Sequence, residues 1–110
     1  MYINIDGKDY KLLADAAPHF ATAKSVTVWH CQALTSLSAP VATSVDVWYC
    51  PALTSIDAPV ATSVNVLDCK AITSLSAPVA TSVNVGYCEN IVNRKTPRGW
   101  SAIRAWLGSK

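Results

Sequence analysis

Ala39-Pro-Val-Ala-Thr-Ser-Val-Asp-Val-Trp-Tyr-Cys-Pro-Ala-Leu-Thr-Ser-Ile-Asp57 is the stretch that decides the fold, because it is said again from Ala58 and again from Ala77. Cys31, Cys50, Cys69 and Cys88 fall 19 residues apart, so the register never slips. A partial copy, Phe20 to Ser38, precedes these, and a truncated one, Ala77 to Asn90, closes them. Self-similarity at a fixed short period marks a solenoid, in which each repeat is one coil that buries its apolar residues by stacking on its neighbours.

Alternation within the quoted repeat assigns the faces. Val45, Val47 and Cys50 point inward, and Asp46 and Trp48 point outward. After Cys50 the chain turns, and Leu53 and Ile56 point inward again, with Thr54 and Asp57 outside. Each coil therefore holds one clear strand, Ser44 to Trp48 in this copy, and a short extended run near Ile56. Pro40, Pro59 and Pro78 cannot donate a ladder hydrogen bond and belong at corners. The Thr-Ser pairs are expected to bond the backbone where the chain bends. About seven inward residues per coil give a thin but continuous core, each large one stabilising by ~1.5–3 kcal/mol when fully buried.

Working outward from the repeats, Tyr2-Ile3-Asn4-Ile5 alternates, Asp6-Gly7 follows, and Lys8 to Leu13 resumes. Asp-Gly between alternating runs signals a hairpin with a type I′ turn. Residues 1–19 thus read as a hairpin cap and connector, residues 20–92 as about four coils, and residues 93–110 as a C-terminal cap. In that last segment Thr96-Pro97 reads as a helix start. Trp100, Ile103, Trp106 and Leu107 follow at helical spacing, and Gly108 ends the run. The expected fold is mainly β: a short β-solenoid, one domain, with an N-terminal hairpin cap and a C-terminal helical cap.

The stretch Ala42-Thr-Ser-Val45-Asp-Val47-Trp-Tyr-Cys50-Pro-Ala-Leu53 matches LxxLxLxxCxxL. Val26 to Leu34, Val64 to Ile72 and Val83 to Ile91 keep the same pattern. On these residues the chain resembles leucine-rich repeats in their cysteine form, and its Leu-Thr-Ser-Leu segments resemble the short tandem repeats of BspA-type bacterial proteins. Two features depart from that pattern. The period of 19 lies just below the usual range, and most Leu positions are Val or Ala, which leaves no room for a convex helix. The resemblance implies partner binding through the outward face of the clear strands.

Composition narrows the function. With 51% apolar and 15% charged residues the chain can bury a core and is not a disordered polymer. No run approaches the ~20 apolar residues of a membrane span. The N-terminus shows no basic stretch followed by an apolar block, so a cytoplasmic setting is expected, with the four Cys as a buried ladder of free thiols. There is no Cys-x-x-Cys, no Gly-rich phosphate loop and no HExxH, and His30 and Cys31 are chain neighbours that cannot face each other as a base–nucleophile pair. The chain reads as non-catalytic, with no cofactor and no metal.

What the repeat leaves free are the outward positions of the clear strands, expected as three parallel columns on one sheet. Thr27, Asp46, Asn65 and Asn84 form one column; Trp29, Trp48, Leu67 and Gly86 a second; His30, Tyr49, Asp68 and Tyr87 a third. Exposed aromatics in register mark an interaction site, so Trp29, Trp48, His30, Tyr49, Tyr87, Asp46, Asn65 and Asp68 are the candidate partner-binding residues. The bland alternative is that Trp29 and Trp48 merely stack along a ladder or tuck under the N-terminal segment. A second site is suggested by charge. The net +2 divides into +5 on residues 94–110 and −3 on the rest, so Arg94, Lys95, Arg98 and Arg104 form a candidate basic patch for nucleic acid. Ice binding and self-assembly through the sheet ends are weaker readings, because the Thr sit in Thr-Ser pairs at corners and both ends look capped.

Overall fold

The inward valines of each clear strand must stack on the valines of the coil before and after, and the structure shows how. It is a computed structural model that describes residues 1–88, 90 and 91, and the backbone of 93–95. The chain begins with a hairpin, β1 (Tyr2–Ile5) and β2 (Lys8–Tyr10), then one helical turn, α1 (Leu13–Ala16), and a 3₁₀ turn (Ala17–His19). Long and short strands then alternate: β3 (Ser25–Trp29), β4 (Ser36–Ser38), β5 (Ser44–Trp48), β6 (Ser55–Asp57), β7 (Ser63–Leu67), β8 (Ser74–Ser76), β9 (Ser82–Gly86) and β10 (Asn93–Lys95). The long strands form a six-stranded sheet with the hairpin, in the order β2-β1-β3-β5-β7-β9. The short strands form a second sheet of four, β10-β8-β6-β4.

Each parallel pair is offset by one repeat, so Val26 sits on Val45, Val45 on Val64 and Val64 on Val83. This is a mainly β solenoid of about three turns. Its last short strand, β10, pairs in register with β8 and includes Asn93–Lys95, three residues past the expected limit of the coils at 92. The rest of the segment expected to form a capping helix, residues 96–110, lies outside the described residues.

The inward residues include the five that the alternation picks out, Val45, Val47, Cys50, Leu53 and Ile56, together with two alanines that it does not. In one coil Ala42, Val45, Val47, Cys50, Leu53, Ile56 and Ala58 are at most 1% exposed. Two reverse turns per coil carry the chain around them. Ala-Pro-Val-Ala closes with Ala42 N–H donating to the Ala39 carbonyl (3.3 Å), and Cys-Pro-Ala-Leu closes with Leu53 N–H donating to Cys50 (3.2 Å). In both, Pro takes the second turn position, where its fixed φ is an advantage. The threonines tie the coils together outside. Thr43, Thr62 and Thr81 each donate Oγ1 to the carbonyl one coil back, of Lys24, Thr43 and Thr62, and Thr54 and Thr73 do the same at the other corner. Net gains of about 1 kcal/mol per bond accumulate along both columns.

The N-terminal cap covers the first long strand: β1 pairs antiparallel with β3, Tyr2 opposite Trp29 and Ile5 opposite Val26. Its turn residues, Asp6 (φ 53°) and Gly7 (φ 87°), both have the positive φ a type I′ turn requires. Asp6 has a further role. In later coils a carbonyl one coil back accepts from two successive N–H groups, as Lys24 does from Thr43 (2.8 Å) and Ser44 (3.4 Å). No coil precedes the first, and the Asp6 carboxylate takes the place of that carbonyl, accepting from Lys24 N–H (3.0 Å) and Ser25 N–H (2.9 Å).

Candidate functional site

The outward face of the long-strand sheet is built from three columns, and the structure separates their roles. On the first, Asn65 Nδ2 donates to Asp46 Oδ1 (3.1 Å), a polar rung of the kind that register imposes on like positions. At the hairpin edge Asn4 Nδ2 donates to Asp9 Oδ1 (2.6 Å). These side chains keep the sheet surface polar and hold each other in place.

The second column is aromatic at its N-terminal end and tapers. Trp29 and Trp48 stack at 4.8 Å with their planes 17° apart, and Tyr2 from the hairpin lies 5.2 Å from Trp29. Both indoles are half-buried, and each Nε1 is covered with no hydrogen-bond partner among the described residues. The stack offers ring edges, because neighbours take the Trp29 faces on both sides. Face-on capture of a base or sugar by Trp29, of the type stacking platforms use, is therefore closed. Beyond Trp48 the column shrinks to Leu67 and then Gly86. A Cβ on Gly86 would lie 2.6 Å from Leu67 Cδ2, so the bare glycine is what lets the Leu67 side chain lie flat. The expectation of two exposed Trp is corrected here: both ladder stacking and cover by the N-terminal segment apply.

The third column differs from the expected one. His30, Tyr49, Asp68 and Tyr87 do not continue the strand. They stand one residue past its end with φ of 58°, 55°, 55° and 58°, in the left-handed region. The reversal points Cys31, Cys50, Cys69 and Cys88 into the core at the next residue, and swings the preceding side chain outward. His30 and Tyr49 stack at 4.8 Å and 12°, and Trp48 meets Tyr49 edge-on at 6.5 Å. Tyr49 and Tyr87 are exposed, by 43% and 63%. Lys70 Nζ lies 3.3 Å from Asp68 Oδ1 and 5.9 Å from the Tyr87 ring centre. Of the candidate binding residues, Trp48, His30, Tyr49 and Asp68 thus share one corner of the solenoid. Asp46 and Asn65 lie on the neighbouring column, and Tyr87 lies two coils along from Tyr49.

Behind this corner the four thiols are free and fully buried. Cys50 Sγ donates to the Trp48 carbonyl (3.5 Å), Cys69 to Leu67 (3.5 Å) and Cys88 to Gly86 (3.4 Å). Contact with Cys69, and then burial, pushes the Cys50 and Cys88 thiols up, whereas contact with Cys50 and Cys88 pulls Cys69 down. Among the described residues no cluster of three or more His, Cys, Asp or Glu could hold a metal ion.

Two surface features were not read from the sequence. Val41, Val60 and Val79 form an exposed apolar column at the Ala-Pro-Val-Ala corners, 42–52% exposed. The signal was present, since a turn that buries both of its alanines must turn its valine out. An open cleft of about 650 Å³ lies between the hairpin and the first helical turn, lined by Lys8, Tyr10, Lys11, Asp15 and His19; it depends on a packing that no local pattern reveals. Of the candidate basic patch, Arg94 and Lys95 lie in β10, described by its backbone alone, and Arg98 and Arg104 lie outside the described residues. Among the described residues no helix is long and apolar enough to cross a membrane. No family model, no curated protein and no solved structure matches this chain.

Proposed function

We propose that this chain is a non-catalytic protein-binding module on a leucine-rich-repeat-like plan. It engages its partner through the corner column His30, Tyr49, Asp68 and Tyr87 and the adjoining Trp48 edge. The observation that carries this reading is backbone strain at exposed aromatics. Tyr49 and Tyr87 occupy the left-handed region at alternate corners, two coils apart, where Gly, Asn or Asp would be accommodated at lower cost. A bulky residue held there costs of order 1–3 kcal/mol, and such outliers point towards function. His30 and Asp68, at the same position, are types that tolerate this conformation. The two tyrosines are thus kept where architecture alone disfavours them, with rings turned to solvent. The free thiols behind them suit a reducing, cytoplasmic setting.

The test is the double variant Tyr49→Asn with Tyr87→Asn, used as bait against lysate of the native host beside the wild type. Asn fits the same backbone, so the fold is kept while the rings are lost. The expected result is loss of a protein that the wild type captures in near-stoichiometric amount; undiminished capture by the variant would refute the proposal.

A further inference from the structure

We propose that Tyr49, Asp68 and Tyr87 form a slot for a guanidinium group, the side chain of an arginine presented by the partner. This rests on the binding reading above and names the chemistry it would recognise. The three residues hold the same position in successive coils with φ of 55°, 55° and 58°, so their side chains leave the backbone in the same direction. Two rungs separate the tyrosines, roughly 9–10 Å. His30 stacks on one face of Tyr49. On the other side the next rung carries the short carboxylate of Asp68, which cannot cover the ring as a third aromatic would. The result is a gap with a ring at each side and a carboxylate at its base.

That combination selects a cation, and among cations a planar one. A guanidinium stacks flat on an aromatic face and donates two parallel hydrogen bonds to a carboxylate; an ammonium can do neither as well. The protein already shows a weaker form of the contact. Lys70 Nζ is 3.3 Å from the Asp68 carboxylate and 5.9 Å from the Tyr87 ring centre, so the chain's own ammonium reaches into the slot. Its side chain is 61% exposed, and an ion pair so open to water is readily displaced. Lys70 therefore acts as a tethered competitor. At the equivalent position one coil earlier the residue is Pro51, which brings no charge to Tyr49.

The test is a nuclear magnetic resonance titration of isotope-labelled protein with N-acetyl-argininamide, and in parallel with N-acetyl-lysinamide. The slot predicts saturable shifts centred on Tyr49, Asp68 and Lys70, with the lysine compound several-fold weaker. Lys70→Ala should tighten argininamide binding about two- to five-fold by removing the competitor. Asp68→Asn, which suits the same backbone, should weaken it by a similar factor. Tyr49→Phe should leave it unchanged, and Tyr49→Asn should weaken it. Shifts that are absent or scattered in both the wild type and Lys70→Ala would overturn the proposal, as would weaker binding on Lys70→Ala. If argininamide misses the slot while Tyr49→Asn with Tyr87→Asn still loses the captured partner, the arginine inference falls and the binding reading stands.

Discussion

Trp48 and Tyr49 are neighbours in the chain and face the same side of the solenoid, yet they do opposite things for it. Trp48 ends a strand, lies half-buried on Trp29, and is held by a column that begins with Tyr2 of the cap. Tyr49 sits one residue beyond in the left-handed region, with 43% of its surface exposed. The first residue adds contact area at little conformational cost. The second is strained and gives its ring to solvent. An aromatic in register can thus be part of the fold or an addition to it, and the backbone under it tells which.

This contrast can be broken or sharpened by substitution. The largest effect is expected for Trp48→Ala, which opens the stack between Trp29 and Leu67. A half-buried indole should account for somewhat less than the ~3–5 kcal/mol of a buried one, about 2–3 kcal/mol, read from urea unfolding with tryptophan fluorescence. Asp6→Ala should come next, at about 1–3 kcal/mol, because it leaves the Lys24 and Ser25 N–H groups without their acceptor. Hydrogen exchange should show the loss concentrated at β3. Gly86→Ala should cost about 1–2 kcal/mol, since the new methyl displaces Leu67, whereas the same change at Gly7 would act only through its positive φ. The thiols give a further check. All four should resist a water-soluble alkylating reagent until the coil opens, at a rate that tracks the open population and becomes independent of reagent concentration only where alkylation outpaces reclosing. The smallest effect is expected at Tyr49→Asn.

The period and the inward positions were readable because the interior tolerates few substitutions. The strand Val, the Cys, the Leu or Ile and the two Ala of each Ala-Pro-Val-Ala turn recur at fixed offsets that are buried, whereas Val41, Val60 and Val79 recur as regularly and are exposed. Asp6-Gly7 was readable because two consecutive residues with positive φ leave few choices. The corner column was misread as strand because Tyr carries no turn signal, and only the change of backbone after Trp48 reveals it. Trp29 looked exposed because its cover, Tyr2, lies 27 residues away in sequence and arrives through the antiparallel pairing of β1 with β3. The reach of Asp6 to Lys24 was hidden for the same reason. Asn93–Lys95 lacks apolar alternation, so it read as part of the cap, and only its place 19 residues after β8 could have marked it as a strand.

The most direct test of the account compares the signs of two free-energy changes in one set of denaturant curves. Trp48→Ala should destabilise the chain by about 2–3 kcal/mol. Tyr49→Asn should leave it unchanged or stabilise it by up to about 1 kcal/mol, because relief of the left-handed strain offsets the lost ring contact with His30. If Tyr49→Asn destabilises the fold as much as Trp48→Ala does, the tyrosine is part of the architecture and the corner column loses its claim to be a binding surface.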